Sequence, residues 1–355
     1  DDLETEVKGP ARKIAVDEAG EWTKAALGFA RSQNVDPSEL YYKEIGGVEY
    51  VHARKKTAGM RTVEALPAAL KEAAVSMNFP KNMRWGAGEL RYVRPIRWMA
   101  ALFGDEVVPL EIEGVPSGRT TRGHRFLGGE TDIPHAGAYA EVLRSQYVIA
   151  DIEERRKLIV DQIEQLAASR GWTIPIQDDL LEEVLFLVEY PTVLFGAFEP
   201  AFLNIPEEVL ITSMREHQRY FPVKDEQGKL LPYFVTVRNG NRESLDVVAR
   251  GNEKVLRARL SDARFFYEED QKLKIETALD KLEKIVFHEE LGTLGDKVRR
   301  IRANAEQLAR EWGLEAETRR KVERAAAICK FDLVTQMVYE FPELQGVMGE
   351  DYARK

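Results

Sequence analysis

Cysteine is almost absent from this sequence of 355 residues, and no long hydrophobic run occurs in it. The single cysteine, Cys329, excludes an intramolecular disulfide and a zinc site built from several thiolates. Because it follows the apolar residues 325–328, we expect it to be a small buried hydrophobic residue rather than a nucleophile. No apolar run approaches the roughly 18 residues of a membrane span, so we predict no membrane contact and a cytoplasmic location.

The two ends of the sequence lack the features of a complete secreted chain. The first residues, Asp1 to Glu6, contain no methionine, no basic region and no apolar region, and therefore predict that no signal peptide is present. The missing methionine and the end at Lys355 lead us to expect a piece of a longer protein.

Familiar catalytic motifs are also missing. The sequence has no glycine-rich phosphate loop, no Gly-x-Ser-x-Gly elbow and no His-Glu-x-x-His zinc helix. Its five histidines are scattered, and the paired carboxylates at 178–179 and 182–183 have the spacing of a helix start. We therefore predict no catalytic residue, no metal site and no cofactor in this chain.

The charge is acidic overall but uneven. A net charge of −9 argues against indiscriminate binding of nucleic acid, which depends on cationic contacts to phosphates. Residues 81–125 nevertheless carry eight Lys and Arg against five Asp and Glu, and residues 238–264 carry seven against four. Such basic islands are compatible with a defined nucleic-acid site and equally with ordinary surface scatter.

Two segments, 119–126 and 213–222, combine cationic, histidine and aromatic residues. Arginine contacts phosphate and aromatic rings stack on bases, so this mixture suits an RNA backbone with splayed bases. The alternative is that these side chains are solvated strand ends or pin the two segments to each other. The candidate RNA-binding residues are Arg119, Arg122, His124, Arg125, Arg215, His217 and Arg219.

Hydrophobic periodicity predicts a mixed α and β arrangement in the first part of the chain. Helices are predicted at 21–33, 63–76 and 152–170, the last ended by Gly171. Strand pairs are predicted around Gly46-Gly47, Gly104-Asp105 and the hairpin tip at 224–229, and a further strand at 233–237.

From Ser244 onward the pattern predicts helix. Leu256, Leu260, Ala263 and Tyr267 share one apolar face. A cationic stripe on the same helix supplies further candidate RNA contacts, although such a stripe is usually a solvated face: Arg250, Lys254, Arg257 and Arg264. Residues 286–355 are predicted to be all-helical. The fold class is therefore α+β, with a mixed domain over 1–283 that ends in a long helix and a helical domain over 284–355.

Several long and unusual motifs carry a resemblance to a known family. They are the segments 79–85 (FPKNMRW), 91–98 (RYVRPIRW), 121–126 (TRGHRF), 214–221 (MREHQRYF), 250–267 (RGNEKVLRARLSDARFFY) and 340–349 (EFPELQGVMG). On these residues the chain resembles the β subunit of the bacterial heterotetrameric glycyl-tRNA synthetase, in its N-terminal part.

The resemblance implies a fold and a role. It implies a B3/B4-like mixed domain followed by a truncated HD-like helical domain. It also implies that this chain binds tRNA(Gly) and assembles as α2β2, while a separate α subunit charges the tRNA with glycine using ATP and Mg. The HD-like part departs from active phosphohydrolases, because Lys330-Phe331-Asp332 puts no histidine beside the aspartate. The alternatives are a hydrolase that edits mischarged tRNA and a purely architectural subunit.

Overall fold

The computed structural model describes residues 3–57 and 59–355. Its contacts divide the chain into two compact units: unit 1 contains Asp1–Thr121 and Asp132–Tyr139, and unit 2 contains Arg122–Thr131 and Ala140–Lys355. The sequence predicts a boundary between 283 and 284, which is a different division. That boundary stays a prediction.

Unit 1 begins with a small antiparallel sheet covered by a helix. The elements are β1 (Leu3–Ala11), α1 (Arg12–Ala15), α2 (Lys24–Gln33), β2 (Tyr41–Ile45) and β3 (Val48–Thr57), with strand order β1-β3-β2. The predicted hairpin is confirmed, and its tip residues Gly46 and Gly47 have φ of 63° and 80°. Only glycine adopts such values at low cost, which is why this dipeptide marks the turn. The predicted helix at 21–33 starts three residues later than expected, at Lys24.

The rest of unit 1 is built from short strands. It contains α3 (Thr62–Ser76), β4 (Met99–Ala100), β5 (Leu102–Phe103), β6 (Glu106–Val107), β7 (Glu111–Ile112) and β8 (Val115–Gly118), and the unit boundary falls within β9 (Thr120–Arg122) and β10 (Glu130–Asp132). The helix predicted at 63–76 is confirmed. The strand pair predicted around Gly104-Asp105 exists, but as the two-residue strands β5 and β6. Pro109 lacks an N–H group, which fits the early end of this pairing.

Unit 2 contains a second three-stranded sheet, in the order β11-β13-β12. The elements are α4 (Tyr139–Ser145), α5 (Ile152–Arg170), α6 (Asp178–Leu187), β11 (Pro191–Ala197), α7 (Glu207–Thr212), a π-helical turn (Ser213–His217), β12 (Phe221–Lys224) and β13 (Leu230–Asn239). The predicted bounds of α5 are confirmed. Asp151 caps its first turn by accepting from the N–H of Glu154, and Gly171 ends it with φ of 64°.

The remainder of unit 2 is mostly helical. Its elements are α8 (Leu245–Asp270), α9 (Ile275–Leu282), β14 (Val286–His288), β15 (Gly292–Thr293), α10 (Leu294–Glu311), α11 (Ala316–Ile328), α12 (Gln336–Glu340) and α13 (Val347–Arg354). The prediction that 286–355 is entirely helical is wrong at its start, where β14 and β15 form an antiparallel pair. Gly292 turns the chain there with φ of 82°. The sequence also predicts that Gly292 and Gly295 mark a helix bend, but Gly292 belongs to this hairpin.

One hydrophobic core joins both sides of the predicted boundary. It packs residues before the boundary, such as Met214 and Leu260, against residues after it, such as Phe331 and Met348. The described chain is thus mixed α and β, with small sheets and many helices. Among the described residues, no helix is long and apolar enough to cross a membrane. The expectation of a buried Cys329 is wrong, because this residue at the end of α11 is exposed.

Candidate nucleic-acid interface

The first cationic segment enters unit 2 as a tight loop, residues 122–129, which we call the glycine loop. Gly123 donates its N–H to the carbonyl oxygen of Gly129 at 2.9 Å, and His124 donates to that of Gln146 at 2.8 Å. A Cβ atom added at Gly123 would lie 2.4 Å from the Cβ of Gln146, and one added at Gly128 would lie 2.5 Å from the Gln146 carbonyl oxygen. The two glycines therefore allow the close approach that holds the loop.

The imidazole of His124 is the internal anchor of the glycine loop. The residue is 3% exposed. Its Nδ1 accepts from the backbone N–H groups of Phe126 and Leu127, both at 3.3 Å. Because these groups can only donate, the ring proton lies on Nε2, which is 3.2 Å from the carbonyl oxygen of Asn239. This predicted RNA-binding residue is thus placed where it organises the loop from inside.

The tip of the glycine loop presents an aromatic ring and two cations. Phe126 is 83% exposed. The guanidinium carbon of Arg125 lies 5.5 Å from the centre of its ring, and Arg122 pairs with Glu130 at 3.5 Å. An exposed ring beside guanidinium groups offers stacking and phosphate contacts together. Phe126 is not among the RNA-binding residues predicted from the sequence. Its position beside Arg125 and ahead of two glycines is nevertheless a signal of an exposed ring.

Arg119 belongs to unit 1 and, unlike the cations at the tip of the glycine loop, is bonded to backbone oxygens. Its Nη1 donates to the carbonyl oxygens of Pro134 at 3.0 Å and Ile133 at 3.3 Å, and its Nη2 donates to that of Asp105 at 3.0 Å. Three bonds to backbone oxygens hold the guanidinium in place and connect the β5–β6 turn to the segment after β10. The geometry supports a structural use of this candidate.

The second cationic segment includes the π-helical turn after α7. Ser213 and Met214 are fully buried there, and Ser213 Oγ donates to the carbonyl oxygen of Val209 at 2.8 Å. Arg215 Nη2 then reaches Asp179 Oδ2 at 2.9 Å, and Arg219 pairs with Glu183. The extra residue of a π turn changes the direction of these side chains, so that they point toward α6. Of the carboxylates predicted to mark a helix start, Asp178 and Asp179 lie in the first turn of α6, whereas Glu182 and Glu183 lie in its middle. Asp179 and Glu183 pair with the arginines of this segment.

One aromatic contact and one hydrogen bond of a buried hydroxyl complete the packing of this segment. The ring of His217 stacks on Phe341 with centroids 5.1 Å apart and an interplanar angle of 25°. Tyr220 is buried, which raises the pKa of its hydroxyl to about 12, and this hydroxyl donates to Asn252 Oδ1 at 2.9 Å. The three candidates Arg215, His217 and Arg219 are therefore tied to α6 and to Phe341 within unit 2.

The cationic stripe of α8 is exposed along its length. The predicted apolar face of this helix is confirmed, since Leu256, Leu260 and Ala263 are fully buried. Arg250 pairs with Asp246 at 3.0 Å, Arg257 pairs with Glu199 at 2.5 Å, and the guanidinium of Arg264 lies 5.1 Å from the ring of Phe202. Lys254 is exposed as well. These surface pairs are weak, so the cations can exchange a carboxylate for a phosphate at small cost.

The strand that anchors the glycine loop leads into α8 after a short connection. His124 bonds to Asn239, the last residue of β13, and α8 begins at Leu245. Six residues of chain separate these points, and a fully extended chain of that length spans only about 20 Å. The first turns of the cationic helix therefore lie near the glycine loop.

Two buried aspartates cap helices. Asp270 accepts from the N–H groups of Gln336 and Met337 at the start of α12, both at 2.8 Å. Asp332 Oδ2 accepts from Gly346 at 2.6 Å and Gly349 at 3.1 Å at the start of α13. Backbone N–H groups at helix starts favour a carboxylate partner. Within residues 3–57 and 59–355, no three His, Cys, Asp or Glu side chains are grouped so that they could hold a metal ion.

Comparison with known proteins identifies the class and then the family. The residues quoted above match an aminoacyl-tRNA synthetase family. The matching family model is described as glycyl-tRNA synthetase beta subunit and covers residues 1–355. The chain belongs to this family, and the resemblance drawn from its motifs is confirmed.

Curated relatives agree with the family model. The glycine–tRNA ligase beta subunit of Bacillus subtilis (strain 168) is 59% identical over 354 residues, which are 100% of this chain and 52% of that protein. The beta subunit of Halalkalibacterium halodurans is 58% identical over 352 residues, 99% of this chain and 51% of that protein. That of Listeria monocytogenes serotype 4a is 55% identical over 348 residues, 98% and 50%. The chain spans about half the length of the curated relatives it matches.

Proposed function

We propose that this chain is a tRNA-binding and assembly part of a glycine–tRNA ligase. In this proposal it supports the charging of tRNA with glycine by a separate α subunit, which uses ATP and Mg, in an α2β2 assembly in the cytoplasm. Family membership and the printed names of the relatives support the reaction and the substrate. The HD-like character of residues 284–355 remains part of the same proposal.

The tip of the glycine loop is the observation that carries RNA binding. Phe126 is 83% exposed and lies beside the guanidinium of Arg125, so a ring for stacking and a cation for a phosphate occur together here. The loop beneath it is held by His124 and by the contacts of Gly123 and Gly128, so little ordering entropy is lost when a base stacks on the ring. Arg122 and Arg125 supply the charge for the flanking phosphates.

The stripe on α8 extends this surface. Arg250, Lys254, Arg257 and Arg264 are exposed, and the helix starts close to the anchor of the glycine loop. A row of cations along a helix follows a phosphate backbone without reading bases. By contrast, Arg215, His217 and Arg219 serve mainly to hold the π turn against α6 and Phe341 in this proposal. Arg119 and His124 likewise hold the backbone around the loop.

The experiment is the binding of a glycine tRNA transcript to this chain at several salt concentrations. We expect an Arg122→Gln/Arg125→Gln variant to bind more weakly and to show a salt dependence that is shallower by roughly one to two phosphate contacts. A matched control is Arg319→Gln/Arg320→Gln, which removes two exposed cations from α11. Equal loss of affinity in both variants, or no binding by the unmodified chain, would contradict the proposed site.

A second measurement addresses the ligase reaction. A β subunit as long as the curated relatives, carrying Arg122→Gln/Arg125→Gln, is combined with its α subunit. The charging of tRNA with glycine is then followed. We expect KM for tRNA to rise while activation of glycine with ATP is unchanged, because in this proposal the two guanidinium groups contact the tRNA and neither contacts glycine nor ATP. Loss of glycine activation would show that the loop serves assembly instead.

A further inference from the structure

A segment of unit 1 outside the glycine loop has an unusual combination of exposure and composition. Not one of residues 59–107 is buried, although large apolar and aromatic side chains are frequent among them. The part over 77–98, which we call the arginine segment, contains four aromatic residues: Phe79, Trp85, Tyr92 and Trp98. A stretch that buries nothing within its own unit is available to a ligand.

The charge of the arginine segment has one sign. It carries five cations against one carboxylate, Glu89, in a chain whose net charge is −9. Its cations are Lys81, Arg84, Arg91, Arg94 and Arg97. Among the described residues, only Arg84 of these pairs with a carboxylate, at 3.2 Å from Glu89. The excess of cations within the segment makes it attractive to a polyanion, although the carboxylate of Glu113 lies against Gly88.

The arginine segment is an ordered structure. Met83 and Tyr92 exchange two backbone hydrogen bonds, of 2.8 and 3.1 Å, which close the chain between them into a loop. Arg91 Nη1 donates to Asn82 Oδ1 at 3.2 Å across the base of this loop. The rings of Phe79 and Tyr92 meet edge to face, with centroids 4.9 Å apart and an angle of 72°. These contacts therefore hold Arg91 and the rings of Phe79 and Tyr92 in defined positions before any ligand arrives.

We infer that the arginine segment is a second RNA-binding element of this chain, which contacts the phosphates and unstacked bases of a single-stranded part of the tRNA. The inference rests on the proposed function, since it takes tRNA as the ligand. Five cations interleaved with four aromatic rings provide the two contacts that single-stranded RNA requires, charge for the backbone and flat surfaces for the bases. Trp98, at 45%, has the largest exposed fraction of the four rings.

RNA fits this surface better than a protein partner does. A protein interface tolerates mixed charge and depends on a dry apolar centre, whereas the exposed cations here would have to be desolvated or matched by many acidic residues. Phosphates match such cations in charge, and the release of the counterions condensed on the RNA favours their contact. The nearly single sign of the charge therefore favours a nucleic acid.

The test compares three double variants in the binding of a glycine tRNA transcript over a series of salt concentrations. Arg94→Gln/Arg97→Gln should raise Kd roughly tenfold near 0.1 M salt and lower the slope of log K against log salt by about 1.4, the value for two single-strand contacts. Arg94→Lys/Arg97→Lys should keep most of the affinity. Lys55→Gln/Lys71→Gln removes two exposed cations of the same unit and should change Kd less than about twofold. Thermal unfolding checks that each variant is folded.

Ultraviolet cross-linking supplies a readout that does not depend on affinity. We expect cross-links from the tRNA to Tyr92 or Trp98 in the unmodified chain. If Arg94→Gln/Arg97→Gln binds tRNA with the same affinity and the same salt slope as the unmodified chain, and cross-links fall only in unit 2, the inference is wrong. The proposed function then stands. If that variant keeps its RNA affinity but loses the partner subunit, the segment is a protein interface and the inference is wrong. No tRNA binding by the unmodified chain would contradict the inference and the proposed function together.

Discussion

The imidazole of His124 joins two distant parts of the chain, because its Nε2 donates to the carbonyl oxygen of Asn239 at 3.2 Å. Its other nitrogen receives two backbone N–H groups of the glycine loop. One side chain thus connects the loop that carries Phe126 to the strand that leads into α8. The position of the candidate RNA surface depends on this contact.

Replacement of this histidine should therefore cost stability. We expect His124→Ala to lower the free energy of unfolding by about 2–3 kcal/mol, because three backbone groups lose a buried partner. Urea unfolding followed by circular dichroism measures this. His135→Ala, at an exposed histidine, should be nearly neutral. A variant of His124 as stable as the unmodified chain would show that the loop is held by other contacts.

The exposed ring of Phe126 should matter for RNA and not for folding. We expect Phe126→Ala to weaken tRNA binding roughly tenfold, as the loss of one stacked base predicts, and to leave the melting temperature unchanged. Phe126→Tyr should preserve binding, since the ring remains. Tyr339→Ala serves as the control, because Tyr339 is 86% exposed on α12. An equal loss in the control would mean that the effect is unspecific.

The pair formed by Arg215 and Asp179 should behave as a structural contact. The side chain of Arg215 is 21% exposed and that of Asp179 is 72% exposed. We expect a double-mutant cycle with Arg215→Ala and Asp179→Ala to give a coupling energy of about 0.5–1 kcal/mol in urea unfolding. The affinity of folded Arg215→Ala for tRNA should be unchanged. A clear loss of affinity without coupling would assign Arg215 to RNA.

Substitution of the buried Asp270 should lower the free energy of unfolding more than most other substitutions of a carboxylate in this chain. It accepts two backbone N–H groups of α12 and the hydroxyl of Tyr352 at 3.1 Å. Burial, and after it the charge of Asp270, raises the pKa of Tyr352, so this hydroxyl remains a donor. We expect Asp270→Asn to destabilise the chain by about 2–3 kcal/mol, since an amide cannot accept at both positions. The exposed Asp262→Asn should change the unfolding free energy by less than about 0.5 kcal/mol.

The capping box of α10 predicts a pH dependence. The pKa of Asp296 is lowered from 3.8 to about 2 by the backbone N–H of Thr293, by Arg299 and by the Thr293 hydroxyl. Because the folded state binds this proton less readily than the unfolded state, the stabilising effect is complete above about pH 4 and is lost as the pH falls toward 2. We expect Asp296→Asn to lower the melting temperature at pH 7, and its difference from the unmodified chain to shrink between pH 5 and pH 3. A difference that stays constant between pH 5 and pH 3 would contradict this.

Local signals predicted some elements well. The helix α5 has the bounds expected from the sequence, because Asp151 and Gly171 satisfy the backbone at its two ends through contacts within a few residues. The hairpin at Gly46-Gly47 and the buried face of α8 were predicted for the same reason, since turn chemistry and helical periodicity are local properties. The family was also predicted correctly from the sequence, because its motifs are long and unusual in composition.

Other features depended on partners distant in the chain. The two-residue strands around Gly104 and the β14–β15 hairpin are formed by pairings too short to leave a periodic pattern. The exposure of Cys329 follows from which face of α11 packs, and its alanine neighbours do not reveal that.

The amino-acid sequence by itself determined the family, the main helices and the set of cationic and aromatic residues from which the proposed RNA surface is built. Only the tertiary structure decided how those residues are used. It buries His124, ties Arg215 to Asp179 across 36 positions and leaves Phe126 exposed. The reason is physical: an arginine, histidine or phenylalanine has the same chemistry in every sequence, but the side chains and solvent around it are set by segments far away in the chain.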